Sequence, residues 1–334
     1  MIKAENLTKR YGAGIALDSV SFEIGERGVI GLLGPNGAGK STTMNIITGY
    51  LSASSGTVTV MDTDIMKNPT KAKSYIGYLP EQPPLYPEMT VEEYLSFVYD
   101  LKKCRLDRKA HLGEICDVVG ISDVKGRIIS HLSKGYRQRV GIAQALINDP
   151  PILIFDEPTV GLDPKQIIEI RNLIRTLGAK HTVILSTHIL SEVQAVCERI
   201  IIINKGKIIA DRMTDELSRE IDDTAKYKIK VCAQKDEAQR EFSACPALSG
   251  CEPLPDRDGD SVTFILENKK GVDARKSIYY ICAKAGWAII EFSPIGFELE
   301  DIFMRLVDGK ESKSNASSGD RRKRSRRDER RYTK

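Results

Sequence analysis

A chain of 334 residues has room for roughly two domains, each with its own core. Its 41% hydrophobic and 29% charged residues fit a globular protein. No apolar run approaches the ~18 to 20 residues of a membrane span, so an integral channel or permease is excluded. The opening MIKAENLTKRYG lacks the apolar core of a signal peptide. Seven cysteines, an odd number without a CxxC pair, predict reduced thiols in a cytoplasm rather than disulfides or zinc. The net charge of +4 is unevenly spread. Residues 310–334 carry 11 Lys or Arg against 4 Asp or Glu, a local +7, which leaves −3 for the other 309.

In chain order, the first strong pattern is VIGLL at 29–33, which runs straight into GPNGAGKST. A short apolar strand then ends in YLPEQ, with Gln82 just past it. From Pro87 to about Asp149 the pattern is helical, with apolar positions at Val91, Tyr94, Leu95 and Val98. LSKGYRQRVGIAQAL (132–146) reads as a helix with its apolar face at Val140, Ala143 and Ile147. ILIF before Asp156, TVILS before Thr187 and Ile200 to Ile203 are continuous apolar runs, as strands buried on both faces require. A helix that starts after Pro164 and uses Ile167, Ile170, Ile174 and Leu177 lies between the second and third of the buried strands. Together these predict a parallel α/β sheet with the functional loops at the strand C-termini. After about Asp215 the pattern alternates. Tyr227, Ile229, Val231 and Val262, Phe264, Leu266 read as strands, as does WAIIEF (287–292), with helices near 235–244, 273–285 and 298–307. A small α+β domain of ferredoxin-like type fits this. Residues 311–334 are Ser, Asn, Gly and charge, the composition of disorder.

The chemistry follows from GPNGAGKST, which matches G-x-x-x-x-G-K-[ST]. Gly34, Pro35, Asn36, Gly37, Ala38 and Gly39 form a loop whose backbone N–H groups can close around phosphates. Lys40 bridges the β and γ groups, Ser41 binds magnesium, and Thr42 continues into the helix. Asp156 emerges from a buried strand, where its carboxylate can hold Mg²⁺ through water. The adjacent Glu157 can sit by the γ-phosphate as a general base. His188 ends the third buried strand at the same sheet edge and is expected to face the γ-phosphate. Gln82 can offer its amide to Mg²⁺ or to the attacking water. Ser133 and Gly135 open a helix that suits a second anion, yet one nucleotide does not need two cradles from one chain. A second copy of the chain under a two-fold axis would supply the other phosphate. An ordinary N-capped helix fits the same stretch.

Over about residues 1–215 the chain resembles the ATP-binding subunit of an ABC transporter. The motifs occur in the family's order: the P-loop, Gln82 as Q-loop, LSKGY as signature, ILIFDEP as Walker B, GLDP with Asp163 as D-loop, and His188 as switch histidine. The resemblance implies an antiparallel β subdomain and a helical subdomain beside the parallel core. It also implies a homodimer, or a pair with a similar ATPase, that holds two ATP between P-loop and signature. Tyr11 in LTKRYG matches the adenine-stacking aromatic. The family's usual signature is LSGGQ, of which Lys134 and Tyr136 here replace the first glycine and the glutamine. The C-terminal domain resembles the extension of type-2 exporter ATPases of the drug-export and gliding-associated kind. The expected division is an ATPase domain over 1–220 with a helical subdomain at about 87–149, an accessory domain over 221–310, and a basic tail over 311–334.

This reading implies a motor that drives separate transmembrane permease subunits, peripheral on the inner face of the cell membrane, with ATP and Mg²⁺ as cofactors. The tail is placed to meet anionic lipid. The alternative is a non-transport ABC ATPase that acts on ribosomes or nucleic acid, which the basic tail keeps open. A GTPase is disfavoured, because NKGK at 204–207 lacks the acid of NKxD.

Overall fold

The structure is a computed structural model that describes residues 1–25, 27–216, 226–255, 261–269 and 271–295. They fall into two compact units that divide between Thr214 and Asp215. In the first unit, β1 (Ile2–Tyr11) and β2 (Gly14–Ile24) form a hairpin, followed by β3 (Gly28–Leu33) and α1 (Lys40–Ile47). Next come β4 (Ser55–Val60), β5 (Thr63–Asp64), α2 (Pro69–Ser74) and β6 (Ile76–Leu79). Then α3 (Val91–Leu101), α4 (Arg108–Val119) and α5 (Lys134–Leu146) fill the stretch expected to be helical. The chain returns through β7 (Ile152–Asp156), α6 (Pro164–Gly178), β8 (Thr182–Thr187), α7 (Leu190–Val196), β9 (Arg199–Asn204) and β10 (Lys207–Met213).

Two sheets result. One is antiparallel, in the order β2-β1-β4-β5. The other runs β10-β9-β3-β8-β7-β6 and is parallel apart from its β10 edge. The four apolar runs read as buried strands are β3, β7, β8 and β9, and every residue of β3, β7 and β8 is buried. Between the sheets lies one core, in which Met44 and Ile47 of α1 meet Leu7, Leu17 and Val58 from one sheet and Ile30, Ile154, Ile184 and Ile201 from the other. On the far face, α6 and α7 pack on β3 and β8. Helix α6 starts where expected, with Pro164 at its first turn and Ile170, Ile174 and Leu177 buried; Ile167 is only partly so. Ile147 falls just past the end of α5, as its C-cap.

At Gly77, helix α5 seats on the edge strand β6 without an intervening side chain. A Cβ at Gly77 would strike the backbone of Ala145, so only glycine permits this approach. The Gln144 amide then donates to Tyr78 O at 2.6 Å. The carbonyls at the end of α5 would otherwise lack partners. Lys102, the C-cap of α3, supplies them: its Nζ donates to Gln144 O at 2.8 Å, Ile147 O at 3.1 Å and Ala145 O at 3.3 Å. Burial pulls this ammonium down to about 8.

The second unit holds β11 (Lys226–Val231), α8 (Lys235–Ser243), β12 (Leu248–Leu254), β13 (Val262–Asn268), α9 (Arg275–Ala285) and β14 (Ile289–Ile295). The sheet order β12-β13-β11-β14, antiparallel throughout, with helices after the first and third strands, is the split βαβ pattern of a ferredoxin-like unit. Its core gathers Tyr227, Ile229, Val231, Phe264 and Leu266 from the strands with Phe242 and Ile278 from the helices. Strand β14 begins at Ile289 rather than Trp287, because the helix C-cap at Gly286 takes up the preceding residues. Strand β12 has too irregular an alternation, with Gly250 and Pro253, to be read from sequence. The helix expected near 298–307 and the tail lie outside the described residues. Among the described residues, no helix is long and apolar enough to cross a membrane.

Replacing Lys102 by Met keeps the stem and deletes the donors. It should lower stability by about 1–3 kcal/mol, the cost of leaving buried acceptors unpaired. Urea unfolding of the full chain checks this, and an unchanged midpoint would mean that water serves these carbonyls equally well.

Candidate active site

Strand β8 lies between β3 and β7, and the parallel registers pair Leu33 with Thr187 and Asp156 with Ser186. The next residues on each strand are Gly34, His188 and Glu157, so three motifs far apart in sequence share one sheet edge. A cleft of about 480 Å³ opens there. Asn36, Gly37, Gly39, Lys40, Ser41 and Thr42 line one side, and Glu81, Glu157, Val160 and His188 the other, with Ala16 of β2 at the rim.

The P-loop side is fixed by one backbone angle. Gly39 precedes α1 at φ 111°, and a Cβ there would lie 2.7 Å from Leu17 Cδ2 and 2.9 Å from Ala16 O. The unpaired N–H groups of α1 therefore begin at the cleft, as an anion site requires. Lys40 is buried, and its Nζ donates to Gly34 O at 2.8 Å and Pro35 O at 3.3 Å. Glu157 Oε1 lies 3.7 Å away. Burial pulls the ammonium below the ordinary lysine value, and the Glu157 and Asp156 carboxylates oppose that pull.

Asp156 and Glu157 face different tasks. Asp156 is 4% exposed, and its Oδ1 has no hydrogen-bond partner. A buried carboxylate oxygen without a donor is costly, and a cation with its waters is the ligand that relieves it. Glu157 adopts φ 50°, a left-handed conformation that costs a non-glycine residue about 1–3 kcal/mol. Its N–H donates to Ser186 O at 2.9 Å and so holds the turn. His188 Nδ1 lies 3.0 Å from both Glu157 oxygens. A carboxylate oxygen accepts, so Nδ1 is the donor in this contact.

The other expected site residues stand apart from this cleft. Gln82 is exposed, three residues beyond β6, and its neighbour Glu81 lines the cleft instead. Tyr11 is 54% exposed at the end of β1, with Lys9 Nζ 5.3 Å from its ring centroid. Ser133, Gly135 and Asp163 form a second cluster. The Ser133 hydroxyl caps α5 by accepting from Tyr136 N at 3.3 Å. Asp163 caps α6 by accepting from Gln166 N at 2.9 Å. Gly135 packs against the Gln166 side chain, and the Lys134 ammonium rests on Gly161, so the signature turn sits on the start of α6. Tyr136, where the usual signature has glutamine, donates from its hydroxyl to Asp123 at 3.0 Å.

Residues 17–160 match the family model described as ABC transporter. The uncharacterized ABC transporter ATP-binding protein YxlF of Bacillus subtilis (strain 168) is 31% identical over 92% of this chain and 99% of its own length. The chain belongs to the ATP-binding proteins of ABC transporters. The bacitracin transport ATP-binding protein BcrA of Bacillus licheniformis is 34% identical over 66% of this chain and 72% of its own. Among solved structures, a dimeric ATP-binding cassette bound to ADP and Pi after hydrolysis is 28% identical, with a TM-score of 0.58 over 64% of this chain and 99% of that one. This ABC ATP-binding subunit is therefore a nucleotide-binding ATPase, the motor of a transporter, with the P-loop ABC fold.

Sequence patterns missed Ala16, Glu81 and Val160, which reach the cleft only through the packing of β2 and of the turns after β6 and β7. No motif marks them. Replacing Lys40 by Ala should weaken ATP binding about 10- to 100-fold, the loss of charge-assisted bonds worth ~1.5–3 kcal/mol. Equilibrium titration with a fluorescent ATP analogue reads it. Unchanged affinity would leave Lys40 as a brace for the Gly34 and Pro35 carbonyls only.

Proposed function

We propose that this subunit is an exporter motor in which two copies, or one copy and a similar ATPase, enclose two ATP and drive separate transmembrane permease subunits. One observation carries the reading. The hydrolytic groups line one cleft, while Ser133, Gly135 and Asp163 form a separate cluster outside it. An anion-competent helix start apart from its own cleft is suited to the nucleotide of a partner subunit. Export is favoured by the names of the relatives, which include bacitracin transport and linearmycin resistance ATP-binding proteins.

In this reading Lys40 and the α1 N-terminus take the β- and γ-phosphates, and Tyr11 stacks on adenine. Asp156 and Ser41 would hold Mg²⁺, and the unpaired Asp156 Oδ1 fits that role; Gln82, apart from the cleft in this structure, would join them on closure of the pair. Bound there, Mg²⁺ neutralises phosphate charge that builds up during transfer. Glu157 takes a proton from the attacking water as general base, a role worth ~10²–10⁴-fold in rate. His188 donates through Nδ1 to that carboxylate and fixes its orientation. The ATPase domain is assigned to 1–220, the accessory domain to 221–310 and the tail to 311–334.

An action on nucleic acid is not favoured. On the outer sheet face of the second unit, Lys228 pairs with Glu291 at 2.9 Å and Lys226 with Glu267 at 3.5 Å. Paired charges without interleaved aromatics do not make a stacking platform.

Glu157→Gln should bind ATP, hydrolyse it at least ~100-fold more slowly, and accumulate as an ATP-bound dimer on size-exclusion chromatography. Adding Gly135→Asp to it should return the monomer with ATP still bound, since a carboxylate would meet the partner's γ-phosphate. A fully active Glu157→Gln protein would remove that residue from the role, and a persisting dimer in the double variant would remove the signature.

The subunit is also proposed to sit on the inner membrane face, helped by the 8 basic residues between Arg321 and Arg331. Deleting 311–334 should weaken flotation with anionic vesicles, most visibly at low salt, while ATPase activity stays. Equal flotation would end the lipid role.

A further inference from the structure

Behind the hydrolytic groups lies a buried polar cluster to which the mechanism above assigns no part. Glu192, on α7, is 1% exposed. Its Oε2 accepts from the Thr187 hydroxyl at 2.9 Å, and its Oε1 accepts from the Thr159 hydroxyl. Arg171 Nη2, from α6, stands 3.8 Å from Oε1. Thr187 is the last residue of β8, directly before His188. Thr159 follows Glu157 by two residues in the turn after β7. The Thr187 oxygen also accepts from Ile189 N at 3.1 Å, so the peptide that follows His188 is held by the side chain of the residue that precedes it.

We propose that Glu192 is a positioning residue for hydrolysis, which ties the turn after Glu157 to the peptide that carries His188. The inference rests on the roles given above to Glu157 and His188. A buried carboxylate is expensive, and a well-packed apolar side chain would often serve packing as well or better. An acceptor-only group forces both threonine hydroxyls to donate inward, which fixes two turns at one separation. The His188 side chain is 40% exposed and has little packing to hold it. Its position is therefore set by the backbone that Thr187 and Ile189 anchor. The Glu157–His188 bond closes this frame at the cleft, and Glu192 closes it from behind. Arg171 contributes charge rather than geometry, since its Nε has no partner.

The test is steady-state ATPase kinetics and nucleotide affinity of the full chain for Glu192→Ala, Glu192→Gln, His188→Ala and the double variant His188→Ala/Glu192→Ala. Loss of the frame should lower kcat about 10- to 100-fold, the scale of a misplaced reacting group, with KM within about threefold. Glutamine keeps one acceptor, and the threonine hydroxyl that faces its NH₂ can turn to accept, so the separation of the two turns is kept and most of that activity should remain. In the His188→Ala background, Glu192→Ala should add less than about threefold, because both act through one group. If Glu192→Ala no longer binds nucleotide, Thr187→Val removes one arm of the cluster and should lower kcat in the same way. Wild-type kcat in Glu192→Ala or in Thr187→Val, or fully multiplicative losses in the double variant, would overturn the proposal. Wild-type kcat in His188→Ala would instead strike the reading of His188, and the proposal that acts through it falls as well.

Discussion

Everything at the active site depends on the parallel hydrogen-bond ladder of three adjacent strands. In a parallel sheet all strands of the ladder end at the same side, and a register slip of one residue turns every side chain to the opposite face. With Leu33 beside Thr187 and Asp156 beside Ser186, the phosphate loop, the histidine and the two carboxylates arrive together. The ladder is insured by burial. Every residue of the three strands is buried, so a shifted register would have to repack both faces at once.

The same edge concentrates features that a stable fold avoids. Lys40 and Asp156 are charges in a buried setting, and Glu157 holds a strained backbone angle beside them. Each is held by something close. The lysine has two loop carbonyls and a carboxylate within reach, and the glutamate has a ladder-like bond to Ser186 and the imidazole in front of it. The Asp156 Oδ1 and the Ser186 Oγ beside it in the ladder are left without partners, and the carboxylate oxygen is where the chemistry calls for a cation. Strain and unmet polarity thus gather where nucleotide charge is to be received.

How much of this was legible in the sequence follows from how each signal is encoded. VIGLL, ILIF and TVILS are buried on both faces, so their continuous apolarity was enough to mark β3, β7 and β8 and the residues at their ends. The P-loop was legible because one glycine angle and one lysine are required by the loop itself. Partners across the fold were not. Glu81 and Ala16 reach the cleft through turns and a second sheet, and Glu192 looks like a solvated helix residue in LSEVQ until α7 packs on β8. The bond from His188 to Glu157 was also invisible, since the sequence shows that both residues share an edge but not that they touch. In the second unit, Gly250 and Pro253 broke the alternation that would have revealed β12.

The seat of α5 on Gly77 has a consequence for motion. Two elements that meet through side chains can slide, because rotamers change and take up the shift. Here backbone lies on backbone, Gln144 pins Tyr78, and Lys102 clamps the far end of the helix. At Gly77 no compliant layer separates β6 from α5. The loop that follows β6 at residue 80 and the turn that starts α5 at Ser133 are thus joined as the two arms of one lever. A shift of the loop after β6 should therefore be felt at the start of α5.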